Sequence, residues 1–555
     1  MKTCKQCSSP FEVATEDQTF YESKGVPKPT LCPDCRYQRR LAWRNERYLY
    51  KRTCDATGKA IVSVYSDDKP YTVYDRKQWL EIDNTDKGRD VDFSRPFFEQ
   101  WNELFLDSIK ANIIQNGLML NSDYTHFTGE MKNGYYMFNS GKCEDVYYGI
   151  LNVYSKNCVD VYWGFYSELC YESVHCSHSY NLHYSSYSSN CSDSAFLRDC
   201  MGCRHCIGCT NLRNKEYHVF NKPVLKEEFE SLWSEIFSGK HSAIEAFQQQ
   251  WSAFEVLQPY WLRNVNAINS TGSQLTDCEN VKESHVCAGC KNLKYCQDME
   301  VDTEDCYDIS TFGEGMTGCY EMLTSGGIKG SSEIVGCMFS AYIFYGGYNI
   351  YYSVNCHDNC KNLFGCCDLR GKQYCILNKQ YTKEEYEELV PRIVEHMKQT
   401  GEWGEFFPVA MSPFGYNESL AMERFIRNKQ QVVEQNWKWQ DQESGTKNKE
   451  TITWDAVPDS IADTEDSISS EILSCRDCQR SYRIIPQELE FYKNIQVPLP
   501  QKCFNCRHIN RLKRTDARQL FERNCNKCQK AIRSTHRSES SKIVYCEECY
   551  LADIY

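Results

Sequence analysis

The chain has 555 residues, a formal net charge of −13 and 41% hydrophobic residues, enough for about three to five domains at about 100 to 200 residues each. No run approaches the roughly eighteen apolar residues of a membrane span, and the opening Met1-Lys-Thr-Cys4 lacks an apolar leader, so no membrane is expected and the thiols are expected reduced in the cytoplasm. The net charge hides a division. Residues 1–60 hold 12 Lys/Arg against 7 Asp/Glu and residues 471–555 hold 16 against 10, so two basic ends flank an acidic body.

Residues 1–80 open with Cys4 and Cys7, then twenty-four residues, then Cys32 and Cys35. Two CxxC pairs bring four thiolates together tetrahedrally, which suits a structural zinc ion. Shifting by 471 places this segment, without a gap, on Cys475, Cys478, Cys503 and Cys506; Cys54 falls on Cys525, and Arg36, Arg40 and Arg47 on Arg507, Arg511 and Arg518. The ends are one duplicated unit. At the C-terminal end (471–555) a further set follows, Cys525, Cys528, Cys546 and Cys549, giving a second site. The N-terminal copy keeps Cys54 but has Thr57, Asp75 and Gln78 at the other three positions, so it reads as a metal-free relic. About three zinc ions per chain are expected. Disulfides would need an oxidising compartment.

After each second knuckle runs a basic segment containing Arg36, Arg40 and Arg47, or Arg507, Arg511, Arg514 and Arg518, at spacings that suit a helix. These arginines can compensate the zinc-thiolate charge and clamp onto the acidic body, or they can hold RNA or DNA phosphate. Both readings stand at this level.

Residues 81–117 read as a helical connector. Residues 118–222 and 264–380 are two cysteine-rich arrays in which a phrase recurs: a turn-type residue, Cys, any residue, then Asp, Asn, Glu or His. It falls at Cys143, Cys158, Cys176 and Cys191, and again at Cys278, Cys290, Cys306, Cys319 and Cys356, at short and uneven intervals. Short Tyr/Val/Ile-rich strands punctuated in this way predict a mainly β fold, a duplicated right-handed β-helix-like solenoid. Both arrays close on one sequence at a shift of 157, Leu212 to Lys222 and Leu369 to Lys379. Helical segments at 223–263 and 381–439 follow, placed to cover the open ends. The array cysteines read as small core fillers. The run Cys200, Cys203, Cys206, Cys209 also suggests iron–sulfur ligation, although its spacing departs from the bacterial pattern and no proline follows. Tyr and Trp in the first array, such as Tyr147, Tyr162, Trp163, Tyr166 and Tyr187, either pack or form a stripe able to stack on sugars or bases. Residues 440–470 are polar and acidic and read as a tether.

The pattern CxxC, Phe-Tyr, Pro, CPxCR and a basic tail, carried here by Cys4/Cys7, Phe20-Tyr21, Pro27, Cys32-Pro-Asp-Cys35-Arg36 and their C-terminal equivalents, resembles the zinc-ribbon, treble-clef-like family over 1–52 and 472–523. The wider chain resembles a group of zinc-ribbon proteins from candidate-phylum bacteria through Ser412 to Glu418, Leu212 to Tyr217 and Ile543 to Tyr550. That resemblance implies zinc and no activity.

The leading functional expectation is a zinc-binding, non-enzymatic cytoplasmic binding or scaffold protein, with a nucleic acid, ribonucleoprotein or protein partner. A β-helix carbohydrate-active enzyme, drawing on Asp145, Asp160, Asp193, Asp305 or Asp308, is the alternative, as is a metal-storage or redox protein using the solenoid cysteines.

Overall fold

The structure, a computed structural model, describes residues 1–300, 303–310, 316, 318–324, 334–342 and 346–554. It divides into two compact units, each assembled from two separated stretches of chain. Unit 1 is 1–112 with 262–442, and unit 2 is 113–261 with 443–555. The N-terminal zinc module therefore folds with the second array, and the C-terminal zinc modules fold with the first.

The solenoid of unit 2 is set by a three-residue rule. Asn133, Tyr136, Asn139, Lys142 and Asp145 have φ of +53°, +52°, +50°, +54° and +53°, and every third residue continues so to Tyr217, with Gly202 and Gly208 in the same register. Each left-handed residue turns the chain; the next side chain points inward and the one after it outward. Four such triplets close each coil, so Phe138 lies opposite Ile150, Ile150 opposite Tyr162 and Tyr162 opposite Val174, all parallel. Left-handed backbone costs roughly 1 to 2 kcal/mol for an ordinary residue, and Asn and Asp bear it best. At several of these positions an aromatic ring stacks on the equivalent ring one coil away: Tyr154 on Tyr166 at 4.7 Å, Trp163 on His175 and His175 on Tyr187 at 5.0 Å.

Inward positions are Cys143, Val146, Gly149, Asn152, Ser155, Cys158, Val161 and onward by threes to Cys209, all buried. The coil is narrow enough that a Cβ on Gly164 would lie 2.5 Å from Asn152. Cys and Ser are interchangeable here because both are small and both donate to the carbonyl two residues back or nine ahead. Cys158 Sγ donates to Lys156 O at 3.1 Å, Cys143 Sγ to Asn152 O at 3.4 Å and Ser173 Oγ to Leu182 O at 3.1 Å.

Unit 1 repeats the design less regularly, its coils differing in length. Val265 lies opposite Thr276, Gly272 opposite Ser284, Tyr307 opposite Tyr320 and Tyr320 opposite Met338. Both closing sequences end in a turned-back strand and an asparagine that imitates the missing next coil. The Asn378 side chain accepts from Cys367 N at 2.8 Å and donates to Cys367 O at 2.9 Å; Asn221 accepts from Thr210 N at 2.9 Å. The expected helices follow, Lys226–Ile236 and His241–Glu255 in unit 2 and Lys383–Thr400 in unit 1.

One expectation is corrected. Residues 440–470 are not a free tether: Gln440 bonds Ser66 inside unit 1, and from Glu443 the chain is built into unit 2. There Thr446–Lys447 adds a strand to Arg480–Tyr482, Trp454 Nε1 donates to Ser474 O at 2.8 Å, and Ile461 and Ile468 are buried. Its apolar anchors, Val457 among them, are spaced too irregularly to show a helical or strand period.

Candidate metal centres and the arginine clasps

Each of the duplicated zinc modules is a knuckle on a short hairpin followed by a helix that begins at the second CxxC. In unit 1, Lys2–Thr3 pairs with Pro10–Phe11 around Cys4 and Cys7, while Cys32 caps the helix Pro33–Leu41 and Cys35 lies in its first turn. Pro33 at the first helical position fixes the entry geometry and gives up a backbone N–H that the helix does not use. In unit 2, Cys503 caps Phe504–Leu512 in the same way.

The Sγ atoms of Cys4, Cys7, Cys32 and Cys35 all lie within 4.8 Å of one another, as do those of Cys475, Cys478, Cys503 and Cys506, and those of Cys525, Cys528, Cys546 and Cys549. Cys7 to Cys32, Cys478 to Cys503 and Cys528 to Cys546 are each 3.7 Å apart. A tetrahedron with Zn–S bonds of about 2.3 Å has edges of about 3.8 Å, so the thiolates already stand at zinc-ligand spacing. The three sets hold three zinc ions. Thiolate is favoured at one or more positions in each set. Hydrogen bonds, chiefly from the Cys35 thiol, draw Cys32 down to about 5; at Cys475 (about 7) and Cys525 (about 6) burial opposes ionisation, and backbone N–H donors outweigh it.

The relic site keeps its frame. Tyr50–Thr53 pairs with Ala60–Ser63 as Phe521–Asn524 pairs with Ala531–Ser534. Cys54 Sγ accepts the Asp75 N–H at 3.2 Å, as Cys525 Sγ accepts that of Cys546 at 3.2 Å. The Asp75 carboxylate instead caps the helix Arg76–Trp79 through Lys77 N.

The arginines after the knuckles go elsewhere than an exposed phosphate-binding face. Arg36 and Arg40, 1% and 0% exposed, share Asp308: Arg36 Nη2 is 2.9 Å from Oδ2 and Arg40 Nη1 is 3.2 Å from Oδ1. Arg39 between them holds Glu321 at 2.6 Å. In unit 2, Arg507 Nε and Arg511 Nη1 share Asp160 at 3.1 and 2.8 Å, and Arg511 also reaches Glu172 at 2.8 Å. Asp308 and Asp160 are fully buried on their solenoids, and Tyr320-Glu321 and Tyr171-Glu172 stand one coil further on. Phe20 stacks on Tyr307 at 3.8 Å, and Tyr492 meets Tyr171 at 5.6 Å. Arg47 pairs with Glu423, Arg518 is buried, and Arg514, which is partly exposed, donates to Glu172 O and Ser185 O at 2.8 and 2.6 Å. Burial pushes the Glu321, Glu172 and Glu488 carboxyls up against the pull of these guanidiniums. Sequence could flag the arginines but not Asp308, Glu321, Asp160 and Glu172, which come from the other stretch of chain in each unit.

The solenoid thiols are placed as fillers. Cys200, Cys203, Cys206 and Cys209 are the four inward positions of a single coil, so their spacing of three reports the coil rule. Among the described residues, the groups able to hold a metal are the three terminal sets. Burial pushes Cys143 and Cys176 up to about 12, which keeps the proton they donate. The rings of Tyr154 and Tyr166 lie against each other, so the faces between them are closed to a base or sugar. His175 is sandwiched between Trp163 and Tyr187, and His183 is buried. Of the five aspartates available to a hydrolase, Asp160 and Asp308 are committed to the arginines, while Asp145, Asp193 and Asp305 accept from Asn133, Asn181 and Asn292 in outer amide ladders.

No helix among the described residues is long and apolar enough to cross a membrane. No curated protein matches the chain in sequence. Among solved structures, a "putative acetyltransferase from Desulfovibrio desulfuricans G20" is similar at 8% identity over 50% of this chain and 78% of that one, with a TM-score of 0.10, too low to bear on fold or function. Residues 1–43 match the family described as "Probable treble clef domain". The N-terminal end is thus a treble clef zinc module, and the C-terminal end repeats its ligand set.

Proposed function

We propose that the protein is a non-enzymatic cytoplasmic scaffold in which zinc fixes each terminal module onto its solenoid. The observation that carries this is the paired clasp: Arg36 and Arg40 around Asp308, Arg507 and Arg511 around Asp160. Each clasp starts one residue after a zinc ligand, on a helix whose first turn the metal holds. Zinc therefore orders the helix that delivers two guanidiniums to a buried carboxylate, and a buried pair is strongly favoured only while its geometry holds. The rows of outward side chains on the coils would then serve a protein partner.

Elemental analysis of purified protein should find close to three zinc per chain. A strong chelator should then expose Pro33–Leu41 and Phe504–Leu512 to limited proteolysis while the coils stay protected. Zinc near zero, or modules that remain protease-resistant without metal, sinks the reading. Association with RNA, DNA or a ribonucleoprotein is addressed on the same sample: retention of nucleic acid at low salt, lost steeply as salt rises, would replace the protein-scaffold reading and would point to basic groups outside the clasps.

A further inference from the structure

The two ends of the unit 1 solenoid are finished differently. At the C-terminal end Asn378 stands in for the next coil, Lys379–Gln380 turns back antiparallel on Gln373–Ile376, and the helix Lys383–Thr400 packs on that strand. At the N-terminal end the first strand, Val265–Ile268, pairs with Gly272–Glu279 on one side, and no strand among the described residues pairs with its other side. Val265 is 43% exposed and Ile268 67%.

Natural sheet edges are protected by charge, proline or a bulge. This edge has none of the three. From Asn264 to Thr276, a whole coil, there is no Lys, Arg, Asp, Glu or Pro, in a chain that is 25% charged. The pairing of Val265 with Thr276, Ala267 with Cys278 and Ile268 with Glu279 shows no register shift. The corresponding first strand of unit 2, Gln115–Leu120, has a shift between Asn116 and Met119, the kind of irregularity that bends an edge away from pairing.

We infer that the Val265–Ile268 edge is a homodimer interface, pairing antiparallel with the same edge of a second copy of this chain. The backbone argues for that occupant. Arg263, Asn266 and Asn269 have φ of +57°, +51° and +47°, so the edge turns a corner every three residues. An extended peptide can follow one side of such a path and then diverges. A coil bent by the same rule presents donors and acceptors on every side, and the strand between Arg263 and Asp277, which carries no charge of its own, meets its own copy without like-charge repulsion along Val265–Ile268. Because the C-terminal end is capped by Asn378 and the turned-back strand, a head-to-tail fibre cannot grow from it; the head-to-head contact is isologous and closes at two copies.

Sedimentation velocity on the zinc-loaded full chain tests this. Wild type is expected at twice the monomer mass, and Val265→Lys/Ile268→Lys at the monomer mass, with three zinc and an unchanged circular dichroism spectrum, since both side chains point outward. A monomeric wild type overturns the inference, as does a dimer that survives both lysines. Should the lysine variant lose its fold, Ile268→Cys treated with a short bis-maleimide decides. A 268-to-268 cross-linked peptide supports the interface, and its absence from a dimeric wild-type-like sample overturns it.

Discussion

Replacing Asp160 by alanine should loosen the C-terminal zinc module without removing its metal. The carboxylate is fully buried and bridges Arg507 Nε at 3.1 Å and Arg511 Nη1 at 2.8 Å, on side chains 5% and 1% exposed. Removing one partner of a buried pair costs about 3 to 5 kcal/mol, because the remaining charge stays out of water. Here two guanidiniums are left, but Glu488 at 3.3 Å from Arg507 and Glu172 at 2.8 Å from Arg511 still compensate part of their charge, which favours the lower end. About 3 kcal/mol corresponds to about a hundredfold in an opening equilibrium. Amide hydrogen exchange read by mass spectrometry should therefore show Phe504–Leu512 exchanging about a hundredfold faster in Asp160→Ala at unchanged zinc content. The surface variant Glu548→Ala, which removes the exposed pair with Lys530, should move it by less than about threefold, since exposed pairs contribute little. If Asp160→Ala exchanges no faster than Glu548→Ala, the clasp does not hold the module.

Restoring the relic site, by Thr57→Cys, Asp75→Cys and Gln78→Cys together, should raise zinc from three to four per chain, since the hairpin and the N–H to sulfur bond of Cys54 are already in place; unchanged metal content would mean that the frame does not bring four thiols together. Cys158→Ser should cost about 1 kcal/mol or less in urea unfolding, because serine fills equivalent inward positions and donates to the same kind of carbonyl, whereas Cys158→Leu should cost about 1 to 3 kcal/mol by overpacking. Equal cost for the two would refute the narrow-coil argument. His183, buried under Trp233 and Phe237, is pushed down to about 3 by burial. Between about 6.5 and 3 the unfolded chain binds a proton that the folded one does not, so this residue adds no penalty above about 6.5 and costs about 2 kcal/mol by pH 5. His183→Phe should flatten that part of the stability profile; parallel profiles for variant and wild type would contradict it.

Much of the architecture was readable from residue order because it depends on neighbours in sequence. Zinc-ligand spacing is a property of one knuckle and one helix turn, so Cys4 to Cys35 and Cys475 to Cys549 announce their metal without any tertiary information. The solenoid was readable for the same reason, its coil being a local backbone rule. Its true period of three was hidden, because Cys, Ser, Val, Leu and Gly share the inward position and following cysteine alone samples the pattern at irregular steps. The destination of Arg36, Arg40, Arg507 and Arg511 was not readable. A guanidinium after a zinc knuckle suits phosphate or carboxylate equally, and Asp308 and Asp160 sit in the solenoids, far along the chain from the helices that reach them. Nor did residue order say that the N-terminal module folds with the second array and the C-terminal module with the first. Burial decides both: only the folded unit removes water from the arginines, and a charge without water must find its opposite wherever the chain has brought one.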